Sequence, residues 1–323
     1  MINLARTLSR IRDLAAASLK QLLYTSRVSV NYVKRHRVNF IVTFHAVSRE
    51  EASSFEEIVC YLARNFKVVS LGEFVVQIEG KAATREDGLV ALTFDDGLRN
   101  HAEVVYPILK KLGMPAAFYI CPKLIDRGCS VWTWEMKSRL DRMEKSVRQR
   151  FLDLAEVIDG TQAVVNWMKT IPVVRREAIE KEIRDNSQGF AFTPDERDRF
   201  ELMTWQQVKD LDPSLITICS HTATHIDLPQ ADSARLESEL AESKEIIESR
   251  LGRKVEFLAY PNGSISPQML PTVARYYRSA VVTRTGVVKR GDNLLSLKRI
   301  HADLDIAKFS WNLTVMARRK ARS

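Results

Sequence analysis

Residues 88–97 read Gly-Leu-Val-Ala-Leu-Thr-Phe-Asp-Asp-Gly, an apolar run that ends in two adjacent carboxylates, Asp95 and Asp96, and a glycine. A short apolar run of this kind is typical of a buried strand. Where the chain turns over at a strand end, both carboxylates can reach one pocket. One acid can then bind a metal ion while the other acts as a base. Asp-Gly is also common in hairpin turns, so residues 92–97 alone leave both interpretations open.

A second cluster favours the metal interpretation. His221 and His225 follow another apolar stretch, residues 214–219, and lie four positions apart. Histidines at this spacing can face the same side of a helical turn or tight loop. With one aspartate they make a three-ligand site that leaves one coordination position open, as in catalytic zinc sites. A lone His-x-x-x-His is more often a pair of surface or capping histidines, but the acid pair elsewhere in the chain favours a metal site.

The two clusters together resemble the first two motifs of the polysaccharide deacetylases, carbohydrate esterase family four. Members of that family fold as a distorted (β/α) barrel and remove N- or O-acyl groups from sugars with a divalent metal. Weaker matches extend the resemblance over about residues 38–305, and they lie at residues 42–47, 203–208, 257–263 and 297–300. The resemblance therefore implies an α/β fold, a distorted (β/α) barrel of the polysaccharide deacetylase type with a helical insertion.

The resemblance also implies roles for the motif residues. Asp96, His221 and His225 would bind the divalent metal, most simply zinc, and Asp95 would act as the catalytic base. A metal ion in such a site polarises the scissile carbonyl and makes water more acidic. The implied chemistry is hydrolysis of an acyl group on a sugar.

The third motif is represented by residues 257–263, which end in Tyr260-Pro-Asn-Gly. By resemblance, Tyr260, Asn262 and Gly263 contact the substrate, and a backbone N–H of this turn stabilises the oxyanion, because glycine allows close approach of the backbone. Many family members carry an arginine in this motif that orients the base. This chain lacks an arginine there, so the residue that orients Asp95 is left unassigned.

A general acid must protonate the leaving amine, and histidine suits this role near neutral pH. His45 ends a strand-like run and resembles the histidine of permuted family members. His301 follows a late strand, but its surroundings depart from the family's Leu-x-His pattern. We therefore favour His45 over His301, although either histidine can instead be hydrogen-bonded at a strand end. His101 is expected on a polar helix face after Gly97.

Strand and helix patterns alternate through the body of the chain, which is typical of a parallel sheet or barrel. We expect a catalytic domain over residues 38–310 that contains a charged, mostly helical insertion at about 131–200. Trp132 and Trp134, at the start of this insertion, can stack on a sugar ring or simply pack the insertion. The four cysteines have no metal or redox spacing and suggest a reducing compartment.

The two ends of the chain carry the positive charge. The net charge is +7 for residues 1–37 and +4 for residues 318–323, while the whole chain is +9, so the body between them is close to −2. Residues 1–37 are predicted to be a basic amphipathic segment and residues 311–323 a basic tail. The apolar stripe of the first helix comprises Leu4, Leu8, Ile11, Ala15, Leu19 and Leu22.

The basic amphipathic segment 1–37 can lie on an anionic membrane face or pack on the barrel with a solvated basic face. Nucleic acid is not the expected partner, because no recognised binding fold or aromatic stacking platform accompanies the charge. We see no apolar signal-peptide region or spanning helix in the sequence. We therefore expect a cytoplasmic location, and membrane contact through residues 1–37 would place the protein peripherally on the inner membrane face.

The functional expectation is a metal-dependent hydrolase that removes an N-acyl group, such as acetyl, from an amino sugar. The expected substrate is a surface polysaccharide or its lipid-linked precursor. Two alternatives stay open: an O-deacetylase or deformylase acting on a similar sugar, and a non-catalytic glycan- or membrane-binding protein on the same scaffold.

Overall fold

In the part of the chain that the structure describes, the apolar runs of the sequence form eight strands, and all their pairings are parallel. The computed structural model describes residues 2–158 and 160–322. The strands are β1 (Phe40–Phe44), β2 (Lys67–Val68), β3 (Leu89–Phe94), β4 (Ala116–Ile120), β5 (Ile216–Ser220), β6 (Phe257–Ala259), β7 (Ser279–Thr285) and β8 (Leu297–His301).

Seven of these strands close into a barrel. The sheet order is β1-β8-β7-β6-β5-β4-β3-β2, and β1 also pairs with β3. This additional pairing closes the ring and leaves the two-residue strand β2 outside it, paired with β3. The predicted distorted (β/α) barrel is therefore confirmed.

Helices surround the barrel and cover its strands, of which β1, β3, β4 and β6 are buried along their whole length. β3, with sequence Leu-Val-Ala-Leu-Thr-Phe, is buried along its whole length, as expected for a parallel strand covered on both sides. The helices are α1 (Ile2–Thr25), α2 (Val28–Arg35), α3 (Ala52–Asn65), α4 (Leu71–Glu79), α5 (Tyr106–Leu112), α6 (Pro122–Arg127), α7 (Trp132–Arg142), α8 (Lys145–Leu154), α9 (Thr161–Met168), α10 (Val173–Asp185), α11 (Pro194–Phe200), α12 (Trp205–Asp210), α13 (Ser233–Leu251), α14 (Leu270–Tyr276) and α15 (Ile306–Arg322).

Helices α7 to α11 lie between β4 and β5 and form the helical insertion that the sequence predicts. They have a hydrophobic core of their own, in which Met136, Leu140, Val164, Met168 and Ile183 are completely buried. Because the insertion follows the carboxyl end of β4, it can reach the carboxyl end of the barrel.

Helices from both ends of the chain pack against each other on the outside of the barrel: α15 contacts α1 and α2. Phe309, Leu313 and Ala317 of α15 are buried, and this helix runs across the boundary predicted at residue 310. The division of the chain into three segments stays a prediction.

The described part of the apolar stripe on α1 is exposed. Leu19 and Leu22 are 53% and 62% exposed, whereas Leu4, Leu8 and Ile11 lie outside the residues whose side chains are described. Over the described chain, no helix combines the length and the apolar character needed to cross a bilayer. Contact of residues 1–37 with a membrane stays a prediction.

Candidate active site

Four predicted site residues meet at the carboxyl ends of the barrel strands. His45 follows β1, Asp95 and Asp96 follow β3, and His221 follows β5. Neighbouring parallel strands bring these ends together, since Phe44 is paired with Phe94 in the β1–β3 register. Together with His225, these side chains line a pocket of about 650 Å³. This is the end of an α/β barrel at which active sites form.

Asp96, His221 and His225 form a compact group at the bottom of this pocket. Oδ1 of Asp96 lies 3.4 Å from Nε2 of His221 and 3.3 Å from Nε2 of His225. The candidate ligand atoms of the three residues all lie within 4.8 Å of one another, and the three side chains are buried. Burial opposes the ionisation of Asp96, but hydrogen bonds from the two histidines hold its pKa well below the usual range.

The neighbours of this group suit a divalent metal. Nδ1 of His221 lies 2.8 Å from the Ala259 carbonyl oxygen, so Nδ1 must carry a proton. Nε2, which faces Asp96, can therefore give its lone pair to a metal ion once it has lost its own proton. A metal-bound histidine commonly uses its other ring nitrogen in this way. The indole N–H of Trp134 lies 3.4 Å from Oδ2 of Asp96. Two imidazole nitrogens and a carboxylate oxygen therefore converge, as a three-ligand metal site requires.

The loop that carries the two histidines is held by side-chain hydrogen bonds. Thr222 and His225 adopt positive φ angles of 64° and 58°, which is strained for a β-branched residue such as threonine. The Thr222 hydroxyl accepts a hydrogen bond from the His225 N–H, and the Glu239 carboxylate accepts bonds from the N–H and hydroxyl of Thr224. Asp96 also has a positive φ, 75°. Strain of this kind is typical of functional sites.

Asp95 is oriented by Arg299, which the sequence analysis did not assign. Nη1 and Nη2 of Arg299 donate to the two carboxylate oxygens of Asp95 at 2.7 and 2.6 Å. Burial opposes the ionisation of Asp95, but the arginine outweighs it and lowers the pKa of Asp95 to about 2. Nε of Arg299 donates to the Val282 carbonyl, and Nη1 also contacts the Thr93 hydroxyl. The carboxylate is therefore ionised and fixed in position.

His45 lies beside Asp95, with 3.9 Å between Nε2 and Oδ2. His301 is paired with Thr43 in the β1–β8 register, and its ring centroid lies 5.6 Å from that of His45. His301 does not line the pocket of the acid pair but the adjoining cleft, which His45 shares. Of the two candidate acids, His45 is the one in the pocket.

The expected position of His101 on a polar helix face is wrong. Its side chain is completely buried, and Nε2 lies 2.9 Å from the His45 carbonyl oxygen, to which it donates. Burial lowers the pKa of His101 to about 4, so the ring is neutral at neutral pH. It lies on a π-helical turn, His101–Val105, an irregularity that is frequent at functional sites. His101 thus supports the backbone that carries His45.

The Tyr-Pro-Asn-Gly turn contributes Asn262 to the pocket. The Tyr260 side chain points away, into the core, where its hydroxyl donates to the Leu295 carbonyl. The N–H groups of Tyr260 and Gly263 already donate to the carbonyls of Val281 and Tyr260. Within the described chain no acceptor is found for the Asn262 N–H, which is therefore the available donor of this turn.

Gly263 is needed for packing rather than for contact with the pocket. Its φ is 70°, and a Cβ at this position would lie 2.5 Å from the backbone nitrogen of Thr283 on β7. Gly97, after the acid pair, has a similar role: its φ is also 70°, and a Cβ would lie 3.2 Å from Cα of Ile120. Both glycines let a site loop lie directly on a neighbouring strand.

The insertion supplies one wall of the pocket. Trp134 lines it and stacks on Phe200, with a centroid distance of 4.8 Å and an interplanar angle of 6°. Trp132 is instead buried in the insertion core, and its indole N–H donates to the His225 carbonyl at 3.0 Å. Gln162, Asn166, Lys169 and Thr170 add polar side chains to the same wall. None of these four residues, which lie on α9 and directly after it, was predicted from the sequence to belong to the site.

Comparison with known proteins agrees with this geometry. A model of the polysaccharide deacetylase family matches residues 82–154 and 159–280. The match includes the acid pair and the histidine loop but stops short of β1 and β8, the strands of His45 and Arg299. YxkH of Bacillus subtilis (strain 168), provisionally named a polysaccharide deacetylase, is 26% identical over 99 residues, which are 30% of this chain. The matched stretch spans 36% of the length of that relative.

Solved structures share the fold over most of the chain. The deacetylase PplD of Streptococcus pyogenes, solved in complex with acetate, has a TM-score of 0.57 at 20% identity over 87% of this chain and 98% of its own. A de-N-acetylase from Aggregatibacter actinomycetemcomitans has a TM-score of 0.53 at 18% identity over 83% of this chain and 95% of its own. Because the family model matches more than half of the residues, the chain belongs to the polysaccharide deacetylase family.

Proposed function

We propose that this chain is a metal-dependent hydrolase that removes an N-acyl group, most simply acetyl, from an amino sugar. The observation that carries the proposal is that the two adjacent carboxylates at the end of β3 have different partners. Asp96 faces two histidine nitrogens, whereas Asp95 is held ionised by Arg299 and faces the pocket. One carboxylate is thus placed to bind a metal and the other to accept a proton.

Asp96, His221 and His225 would hold the divalent ion, and zinc fits two imidazoles and a carboxylate. When bound, it supplies Lewis-acid polarisation of the carbonyl and lowers the pKa of water. Asp95 would accept the proton of the attacking water. That proton can then pass from Asp95 to the neighbouring His45, which restores both groups for the next turnover. His45, 3.9 Å away, is the group placed to deliver a proton to the leaving amine.

The developing negative charge on the acyl oxygen needs a hydrogen-bond donor. Asn262 is held for this role by its side chain, which donates to Oδ1 of Asp227 at 2.9 Å, and by its carbonyl, which accepts from the Thr283 hydroxyl at 3.2 Å. We propose that the Asn262 N–H is this donor. Tyr260 and Gly263, which the family resemblance places in contact with the substrate, would then only support the turn.

The role of His45 can be separated from that of His301 by substitution. We expect His45→Gln to lower kcat on an N-acetyl sugar by roughly 10²–10⁴-fold, the usual contribution of a general acid. His301→Gln should keep most of the activity, because its side chain lies in the adjoining cleft. Steady-state kinetics of both variants, with an amide and with an ester that has an acidic leaving group, measure this difference.

The ester is the control for this prediction. An acidic alcohol leaves without protonation, so His45→Gln should lose much less activity on the ester than on the amide. Equal losses on both substrates would show that His45 does not act as the acid, and a larger loss in His301→Gln would assign the role to His301.

For the substrate we propose an amino sugar of a surface polysaccharide or of its lipid-linked precursor, acted on at the cytoplasmic face of a membrane. Amide and hydroxyl side chains support a sugar ligand, since Gln162, Asn166, Gln230, Ser264 and Thr283 all line the pocket. The exposed apolar residues Leu19 and Leu22 of the basic first helix are consistent with membrane contact.

A panel of acylated hexosamines tests the acyl specificity. We expect the wild-type protein to release acetate and a free amine from an N-acetyl sugar, and to lose this activity when the metal is chelated. Greater activity on an O-acetyl or N-formyl sugar would favour the O-deacetylase or deformylase. Binding of the sugars with no acyl release from any of them would favour a non-catalytic glycan-binding protein.

A further inference from the structure

Helix α9 of the insertion lies between two different environments. Val164, Val165 and Met168 are completely buried in the insertion core. Gln162 and Asn166, four residues apart, lie on the opposite face and line the active-site pocket, and Lys169 and Thr170 continue this face past the helix end. An amphipathic helix of this kind buries its apolar face and presents its polar face. Here the polar face is presented to the pocket rather than to open solvent.

Lys169 is the cation of this face. Among the described residues that line the pocket, it is the only lysine or arginine. Its side chain is half-buried. Burial lowers the pKa of Lys169, and the charges of Asp227 and Asp96 oppose this effect from a distance, without a hydrogen bond. A half-buried ammonium group without an ion pair has lost part of its hydration and can be stabilised by an anion in the pocket.

The neighbouring carboxylates do not take up this charge. Oδ1 of Asp227 accepts a hydrogen bond from Asn262 and Oδ2 is buried without a hydrogen-bond partner, but no ion pair between Asp227 and Lys169 is found in the described chain. Asp95 is neutralised by Arg299, and Asp96 faces the two histidines. In the described chain none of these three carboxylates forms a hydrogen bond or an ion pair with Lys169, so its ammonium group is available to a ligand.

We propose that Lys169 binds an anionic group of the substrate, a carboxylate or a phosphate, so that the preferred substrate is a negatively charged acylated amino sugar. The proposal rests on the proposed function, because it places the sugar in the same pocket. Gln162 and Asn166 provide the amide groups beside Lys169 that can hydrogen-bond sugar hydroxyls. The helical insertion then selects the substrate, while the barrel strands carry the chemistry.

Three related compounds test the proposal and distinguish the source of the charge. N-acetylglucosamine is neutral, N-acetylglucosamine 1-phosphate carries a phosphate on the anomeric oxygen, and 2-acetamido-2-deoxyglucuronic acid carries a carboxylate at C6. The rate at which the free amino sugar forms gives kcat/KM for each compound. We expect one of the two anionic compounds to be preferred over the neutral sugar by roughly 10- to 100-fold, as for a hydrogen bond to a charged group.

The matched variants are Lys169→Met, Lys169→Arg and Lys145→Met. Lys169→Met should abolish the preference mainly by raising KM, because the charge lies away from the bond that breaks. Its loss of kcat/KM on the neutral sugar should be much smaller than its loss on the preferred anionic compound. Lys169→Arg should keep the preference because it keeps the cation. Lys145, an exposed lysine of the insertion on α8, should be replaceable without effect on any of the three compounds.

Loss of activity by the same factor on all three compounds in Lys169→Met would overturn the proposal, as would a wild-type protein with no preference for an anionic compound. If no compound releases amine, the proposed function fails, and calorimetric affinities of the same compounds for wild type and Lys169→Met decide the inference separately. A selective loss of affinity for an anionic compound would support the role of Lys169, and unchanged affinities would overturn it.

Discussion

Asp95→Asn should abolish turnover while leaving the bound metal in place. The amide cannot accept a proton from the attacking water, and loss of a general base costs roughly 10²–10⁴-fold in kcat. The variant should still bind its metal, because Asp96, His221 and His225 form the candidate ligand group without Asp95. Steady-state kinetics together with elemental analysis of the same preparation measure both effects.

Two other outcomes would change the role assigned to Asp95, provided that the variant is folded. Asp95→Asn leaves Arg299 with a weaker partner, so a fall in stability is expected, and thermal unfolding must show that the variant is folded at the assay temperature. If the folded, metal-loaded variant retained wild-type kcat, Asp95 would not be the base. If the metal were lost together with the activity, Asp95 would belong to the metal site.

Arg299→Met should impair both folding and catalysis. The substitution removes both donors from a completely buried carboxylate, and breaking a buried ion pair by removing one partner typically costs about 3–5 kcal/mol. Without the arginine, burial should raise the pKa of Asp95, so that the base is protonated or misplaced. We expect a lower midpoint of chemical denaturation and a loss of kcat of at least roughly tenfold, since each 1.4 kcal/mol of transition-state stabilisation is worth a factor of ten.

Arg278→Met is the matched control for this variant. Arg278 also donates two hydrogen bonds to one carboxylate, that of Glu79 on α4, but it precedes β7 and therefore lies at the opposite end of the barrel. This pair is partly exposed, so its loss should cost less stability and leave kcat unchanged. Unchanged kcat in a folded Arg299→Met variant would show that Asp95 needs no orienting partner.

The sequence was sufficient to predict the parts of the site that are local in the chain. Asp95 and Asp96 are adjacent, and His221 and His225 share one loop. Each pair directly follows an apolar strand, so parallel pairing alone brings the two clusters to one end of the sheet. The barrel and the helical insertion were predicted from the resemblance and from the alternation of strand and helix patterns.

Arg299 could not be assigned because its partner lies 204 residues away in the chain. The contact requires the barrel to close, with β8 beside β1 and β1 beside β3. A signal was present nonetheless: Arg299 lies two positions from Leu297 on the predicted late strand, and an arginine on the same buried face needs a buried partner. The sequence offered an acid without an orienting residue, Asp95, and an arginine inside a strand, Arg299. These two residues could have been predicted to contact each other.

His101 and Lys169 were missed for a related reason. A histidine on a predicted helix is usually solvated, and only the packing of the π-helical turn under His45 shows that this one is buried. Lys169 lies in a charged insertion where lysines are common, and its orientation follows from the apolar residues of α9 that fix the opposite face. In both cases tertiary packing, rather than local pattern, determines the position.

Metal content and amine release, measured together on wild type, Asp95→Asn and His221→Ala, test the central claim most directly. The proposed site predicts one divalent ion per chain in wild type and Asp95→Asn, loss of that ion in His221→Ala, and amine release from an N-acetyl sugar by the wild type alone. A wild-type protein without metal, or a His221→Ala variant that keeps both its metal and its activity, would contradict the account.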